Sequence, residues 1–151
     1  MRIVFDLQGC QSDGSRSRGI GRYSTSLIKS LIKYYPDNEY ILLANNLLFD
    51  LTYLFRNELA DKSLNVSYIN WFCPAPVVGQ SQGEILKSSL AIQLRSYAIS
   101  LLDADIFLIT SFFEGFMDNC VIEFDYSYQL PPIVSILYDL IPLIQSELYL
   151  S

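Results

Sequence analysis

The chain predicts an α/β fold, in which helices cover both faces of a parallel β-sheet. Two observations carry this prediction. Short apolar runs alternate along the chain with longer segments whose apolar residues recur at helical spacing. The composition is 51% hydrophobic, 14% aromatic and 17% charged, as in a packed globular chain, and 151 residues are enough for one domain with a sizeable core.

The first half of the chain predicts three strands separated by two helices. Short, almost continuous apolar runs predict strands over residues 2–7, 39–44 and 64–69. A polar loop over residues 8–18 precedes the first helix, in which apolar residues recur over 20–35 and which Pro36 ends. A second helix, with one apolar face, is predicted over residues 47–59.

The second half predicts one long helix and two further strands, at 105–110 and 133–137. Ser81 and Glu84 fit a capping box, and the helix that they start reaches about Leu102. Apolar residues cover more than one stripe of this helix, so we expect it to be largely buried. Prolines and a glycine predict an irregular loop before it, over residues 70–83, and a polar and aromatic loop with room for a short helix joins the last two strands.

The charge distribution bounds the ligands that the chain can bind. A formal net charge of −6 argues against nucleic acid as the main partner, since phosphate-backbone binding usually needs a basic surface. Residues 1–33, however, carry a net charge of +4, and the rest of the chain carries −10. The basic residues cluster around a glycine-bearing loop, which either attracts an anionic ligand or is only a solvated surface.

The high apolar content predicts an exposed surface that meets a partner or a missing domain. Mean hydropathy is +0.27, although no apolar run approaches the length of a membrane-spanning helix. Asp6 interrupts the first apolar stretch after three residues, so the start does not resemble a signal peptide. We therefore expect a cytoplasmic protein.

The cysteines predict packing rather than metal binding. Cys10, Cys73 and Cys120 lack the spacing of metal ligands, and the chain contains no histidine. Zinc sites of the usual kind and histidine general bases are therefore excluded, and no metal or cofactor is expected. Three reduced thiols, each packed in the interior, fit a cytosolic protein.

The loop over residues 8–22 follows the first strand and predicts a phosphate site. A strand that runs into a glycine-bearing loop and then a helix leaves N–H groups free at the helix N-terminus, where the helix dipole favours an anion. Gly19 and Gly21 would let the backbone approach such a ligand, and Arg18 or Arg22 would bind a phosphate. A tight turn that needs glycine is the alternative interpretation.

Two further loops follow strands and carry polar residues that packing does not require. Glu114 stands beside Gly115 among aromatic residues, where it can bind a sugar hydroxyl or exchange a proton; packing of the aromatic residues is the alternative. Asp139 follows Tyr138 after the last strand. Two interpretations are open for it: it contacts a ligand, or it caps the next turn. Because the carboxyl ends of parallel strands meet at one edge of a sheet, we expect all three loops at one site.

Four motifs, taken in order, resemble the N-terminal half of a family 4 retaining glycosyltransferase. They are residues 6–9 (DLQG), 18–24 (RGIGRYS), 113–116 (FEGF) and 137–143 (LYDLIPL). The most similar branch is that of the mannosyltransferases of bacterial polysaccharide and O-antigen assembly. The resemblance spans the whole chain.

This resemblance implies a GT-B architecture, in which two Rossmann-like domains face a cleft. The C-terminal domain holds most of a nucleotide-sugar donor such as GDP-mannose, and the N-terminal domain holds a polysaccharide or lipid-linked glycan acceptor. Gly19 and Gly21 would approach the donor diphosphate, and Glu114 would line the acceptor side. Tyr138 and Asp139 stand where the family often has His-Asp, so they are the candidate catalytic residues. The tyrosine is a departure from the family pattern.

The resemblance also implies that residues 1–151 are one Rossmann-like, acceptor-side domain without a C-terminal donor-binding domain. Such a chain should be catalytically silent alone, as a fragment, a truncated gene product or one half of a split enzyme. It would be cytoplasmic or peripheral at the inner face of the membrane, although no basic amphipathic helix demands a membrane.

Two alternatives remain open from the sequence. One is a non-catalytic, stand-alone Rossmann-like binding or interaction module, because this kind of fold hosts many unrelated functions. The other is a dinucleotide-dependent oxidoreductase. It ranks last, because its fingerprint expects glycines immediately after the strand, whereas here they follow the loop over residues 8–18.

Overall fold

The structure is a computed structural model, and it describes residues 1–60, 64–74, 77, 82–115, 118–138, 144 and 147. The elements within these residues alternate between strands and helices along the chain. In order they are β1 (Arg2–Asp6), α1 (Gln8–Gln11), α2 (Gly19–Tyr34), β2 (Glu39–Asn45), α3 (Thr52–Glu58), β3 (Val66–Trp71), α4 (Gln82–Ser100), β4 (Ile106–Ile109) and β5 (Ile133–Ser135).

The strands of the described part of the chain form one parallel sheet with the order β3-β2-β1-β4-β5. In the register of the central strand, Ile3 lies opposite Tyr40 on one side and Ile106 on the other. This sheet confirms the predicted Rossmann-like α/β fold and is consistent with the N-terminal half of a GT-B fold.

A hydrophobic core lies on each face of the sheet, because alternate strand residues point to opposite faces. Phe5 and Leu42 pack with residues of α2 and α3, including Ile28, Ile32 and Phe55. On the other face, Val4 and Phe107 pack with residues of α4, including Ala91 and Ile99. Burial on both faces explains why the central strands read as continuous apolar runs.

Two predicted elements differ from the observed ones in the hydrogen bonds that their backbone forms. Residues 8–18 contain α1, in which the N–H groups of Cys10 and Gln11 donate to the carbonyl of Leu7. The second predicted helix begins at Thr52, not at residue 47. The carboxylate of Asp50 accepts the backbone N–H of Thr52 at 2.8 Å, and this bond satisfies one of the free donors at the helix start.

The prediction that α4 would be largely buried is wrong. Ala91, Arg95 and Ile99 are buried against the sheet, but a second row of apolar side chains is exposed on the opposite side. The helix lies on one face of the sheet, so one side of it is left without a partner in the described part of the chain. Ser81 of the predicted capping box lies outside the described residues.

None of the helices in the described residues combines the length and the apolar character needed to cross a membrane. The described part of the loop that joins β4 to β5 consists of turns and extended segments, without the short helix for which the sequence had room.

Candidate functional site

The candidate site lies where the strand order reverses, between β1 and β4. The chain leaves β1 towards β2 on one side of the sheet, whereas β4 continues to β5 on the other side. In open parallel sheets the loops after two such strands border the crevice at the carboxyl edge where ligands bind, and we call this part of the molecule the crevice. All three loops that the sequence singles out begin at this edge.

The glycine loop after β1 folds back on itself. The N–H of Gly21 donates to the carbonyl of Ser15 at 3.0 Å. A Cβ atom at Gly21 would lie 2.5 Å from that oxygen and 2.5 Å from Cα of Arg16. Glycine is therefore required here so that α2 can pack against its own loop.

Gly19 has different surroundings, although it lies in the same turn. It is the first residue of α2, and a Cβ atom there would meet nothing within 4 Å. The N–H groups of Gly19 and Ile20 have no hydrogen-bond acceptor within the described residues. The open backbone at the start of α2 is thus at Gly19 and not at Gly21.

The arginines near this turn differ in how firmly they are held. Arg16 forms an ion pair with Asp13 at 3.0 Å and lies 4.4 Å from the ring centre of Phe49. Arg22 donates two hydrogen bonds to the carbonyl of Ser17, at 2.9 and 3.3 Å. Arg18 is exposed, and its guanidinium has no hydrogen bond or ion pair within the described residues, so it is the arginine most available to an anion.

Glu114 reaches the glycine loop from the other side of the crevice. It follows β4, and its Oε1 atom accepts the hydroxyl of Ser15 at 2.6 Å. Gly115 next to it has a φ of +92°, which L side chains rarely adopt, and a Cβ atom there would lie 2.7 Å from the carbonyl oxygen of Cys120. The turn that presents Glu114 therefore depends on Gly115.

Tyr138 closes the crevice after β5. Its hydroxyl shares a hydrogen bond of 2.8 Å with that of Ser24 on α2, and its ring meets Tyr23 edge to face at a centroid distance of 5.6 Å. Burial raises the pKa of Tyr138 above its usual value, although the bond to Ser24 opposes this shift. The phenol is therefore a neutral donor at physiological pH. Asp139, the other candidate catalytic residue, lies outside the described residues.

A buried polar network beneath the crevice was not predicted from the sequence. Arg95 of α4 is fully buried, and its Nη2 atom donates to Oδ2 of Asp6 at the end of β1, at 2.6 Å. Two aromatic rings lie near the guanidinium, with the ring centre of Phe124 at 4.4 Å and that of Phe107 at 5.5 Å. Gln8 completes the carboxylate's shell through its backbone N–H and side-chain amide, both at 3.1 Å.

The network ties the crevice loops together. The side chain of Gln8 donates to the carbonyl of Val121 at 2.8 Å and accepts from Asn45 at 3.0 Å. Two sequence signals pointed to it: an aspartate at the end of an apolar strand, and an arginine within an apolar helix. A buried charge needs a partner, but the sequence does not say which one.

The three cysteines are free and buried, as predicted. Burial raises the pKa of Cys10 to about 11, and burial also raises the pKa of Cys120. Neither thiol is therefore a nucleophile at neutral pH. In the described part of the chain, no group of three or more cysteine, aspartate or glutamate residues is placed to hold a metal ion.

Comparison with known proteins agrees with the resemblance seen in the motifs. The whole chain is 28% identical, over 156 aligned positions, to part of the serotype-specific mannosyltransferase WbdA of Escherichia coli. The chain spans 18% of the length of that relative. No protein-family profile and no solved structure matches the chain. Similarity over the whole chain, together with the parallel sheet, confirms the resemblance to a glycosyltransferase of the mannosyltransferase branch.

Proposed function

We propose that the chain is the acceptor-side domain of a retaining glycosyltransferase that transfers mannose from GDP-mannose to a polysaccharide or lipid-linked glycan. One observation carries the proposal. The loops after β1, β4 and β5 meet at the point where the strand order reverses, and they bring Glu114 and Tyr138 to the amino end of α2. The similarity to WbdA supports the reaction class and the donor sugar.

The donor diphosphate would bind at the first turn of α2. The free N–H of Gly19 and the positive end of the helix dipole favour an anion, and the exposed Arg18 would neutralise its charge. Arg22 would contribute to diphosphate binding through its charge, since its guanidinium already donates to the carbonyl of Ser17. Gly21 would act indirectly, by allowing the loop to pack so that Gly19 is presented.

The acceptor would bind on the side of Glu114. A carboxylate that accepts the Ser15 hydroxyl through one oxygen has a second oxygen that can accept an acceptor hydroxyl. The turn at Gly115 would hold the carboxylate of Glu114 in place. Tyr138 would donate a hydrogen bond to the sugar at the position where the family often has histidine, and Asp139 would be the second contact there.

A second domain would supply most of the contacts to the donor. The relative is several times longer than this chain, which leaves room for such a domain in that protein. We propose that this chain works with a donor-binding domain of the GT-B type, either joined to it or separately encoded. On this proposal the chain transfers no sugar alone.

A chimera tests the proposal directly. The part of WbdA that is similar to this chain is replaced by residues 1–151, and transfer of radiolabelled mannose from GDP-mannose is measured. We expect transfer by the chimera and none by the isolated chain. A folded chimera without transfer would contradict the proposed function.

Variants of the chimera test the site. Glu114→Gln removes the charge that would bind the acceptor, so we expect kcat/KM to fall by about 100-fold, within the range for a group that assists proton transfer. Glu123→Gln is the matched control, because this exposed residue of the same loop bonds to Arg95 through its backbone carbonyl, and its side chain has no hydrogen bond or ion pair within the described residues. Equal activity of the two variants would remove Glu114 from the site.

A further inference from the structure

The exposed side of α4, together with Leu101 directly after its last residue, carries a continuous apolar row, which we call the α4 stripe. Its members are large side chains with 37 to 76% of their surface exposed: Leu86, Leu90, Leu94, Tyr97 and Leu101. At 3.6 residues per turn these positions fall within an arc of about 80°. The arc lies opposite the buried positions Ala91, Arg95 and Ile99.

The α4 stripe has the properties of a helix-packing surface. Leu90, Leu94, Tyr97 and Leu101 are separated by four, three and four residues, which is the alternation that lets two helices interlock side by side. Tyr128 extends the surface, since its ring centre lies 5.7 Å from that of Tyr97. Exposed apolar surface that is contiguous in this way marks a protein interaction site.

We propose that the α4 stripe binds the α4 stripe of a second copy of this chain, with the two helices antiparallel about a twofold axis midway between Leu94 and Tyr97. Four members of the stripe are symmetric about that point. Leu94 and Tyr97 lie about 2 Å to either side of it along the helix, and Leu90 and Leu101 lie about 8 Å to either side. A twofold axis at this point therefore superimposes one half of the stripe on the other half of its mate.

The charges at the two ends of α4 favour this orientation. Lys87 is exposed near the amino end. Asp103 follows the carboxyl end, where its side chain is 97% exposed and pairs with Arg2 of its own copy at 3.3 Å. Antiparallel packing places the lysine of each copy near the aspartate of the other and opposes the two helix dipoles. Parallel packing would place like charges together, which disfavours it. Because the stripe is complementary to itself, a second copy of the chain is the partner that fits it.

The size of the stripe sets the strength of the dimer. One helix face with a flanking tyrosine is smaller than the ~800 Å² per partner of a standard stable interface. The dimer should therefore be weak, with a Kd of about 10 μM or higher, and its population should depend on protein concentration. This inference is independent of the proposed enzymatic function.

Sedimentation equilibrium of the 151-residue chain over a range of concentrations tests the proposal. We expect the mass to rise from 17.3 kDa towards twice that value. Leu94→Glu places two like charges beside the axis and should weaken association by about 10-fold or more. Ser89→Glu introduces the same charge at an exposed position of α4 outside the stripe, and should associate like the unmodified chain. Circular dichroism checks that both variants are folded.

Cross-linking tests the position of the axis. An equimolar mixture of Leu94→Cys and Tyr97→Cys should form a disulfide-linked dimer under mild oxidation, because residue 94 of one copy meets residue 97 of its mate, whereas a mixture of Ser89→Cys and Tyr97→Cys should not. The three native thiols are buried and give no background. The proposal is overturned by a monomer at all concentrations, by unchanged association of Leu94→Glu, or by equal cross-linking of the two mixtures.

Discussion

Gly19 and Gly21 stand two residues apart and have opposite physical roles. The sequence alone assigns both to close approach of a phosphate. In the structure Gly21 is packed against the backbone of its own loop, and Gly19 faces open space. The phosphate role of both glycines, with Arg18 and Arg22, stays a prediction, and the geometry gives Gly21 a packing role besides it.

A pair of alanine substitutions separates the two glycines. Gly21→Ala should lower the free energy of unfolding by about 1–3 kcal/mol, because the new Cβ collides with backbone that cannot easily move. Gly19→Ala should change it by less than about 1 kcal/mol and in the stabilising direction, since alanine favours a helix. Urea denaturation measures both. Equal losses would show that the loop packs differently.

Cys10 should make the stability of the protein depend on pH in the alkaline range. Its folded pKa of about 11 lies above the usual value of 9.0, so the stability that it contributes is complete below pH 9.0 and is lost as the pH rises through about 11. This shift corresponds to about 2–3 kcal/mol. Cys10→Ala should therefore lose less unfolding free energy than the unmodified chain between these pH values.

Urea denaturation at a series of pH values measures this difference. Parallel pH dependences would contradict the assignment. So would alkylation of Cys10 in the native protein at neutral pH, because a buried, protonated thiol should not react.

At the scale of elements, the ion pair between Asp6 and Arg95 joins β1 to α4. Both side chains are buried, so removing one charge leaves the other without its oppositely charged partner. Asp6→Asn and Arg95→Met should each lower the free energy of unfolding by about 3–5 kcal/mol. The double variant should lose clearly less than the sum of the two.

A double-mutant cycle from denaturant unfolding gives the coupling energy of this pair. Additive losses would show that the two residues act independently. Arg2→Met combined with Glu39→Gln is the matched control, since these side chains form an ion pair at 2.9 Å that is about one third exposed. That pair should show a coupling of less than about 1 kcal/mol.

At the scale of the whole molecule, we expect the chain alone to bind GDP-mannose no more tightly than about millimolar. On the proposed function only the first turn of α2 and its arginines would hold the diphosphate. The free energy of a few exposed charge-assisted hydrogen bonds barely exceeds the entropic cost of association. Isothermal titration calorimetry measures this affinity, and micromolar binding would show that the chain carries a complete donor site.

Folding also changes how much of the positive charge in the first part of the chain remains unpaired. Of the basic residues among positions 1–33, three pair with carboxylates: Arg2 with Glu39, Arg16 with Asp13, and Lys29 with Glu58. What remains near the crevice is Arg18 and the partly engaged Arg22. The positive surface is therefore smaller than the sequence count suggests.

The sequence by itself determined the parallel sheet, the approximate position of each strand and the edge at which the three loops meet. These features follow from local periodicity and from chain connectivity, which a sequence records directly. The tertiary structure alone decided which glycine is open, which charge Asp6 neutralises and which side of α4 is covered. Each of these depends on residues far apart in the chain that packing brings together, and an apolar pattern does not say which of its faces will find a partner.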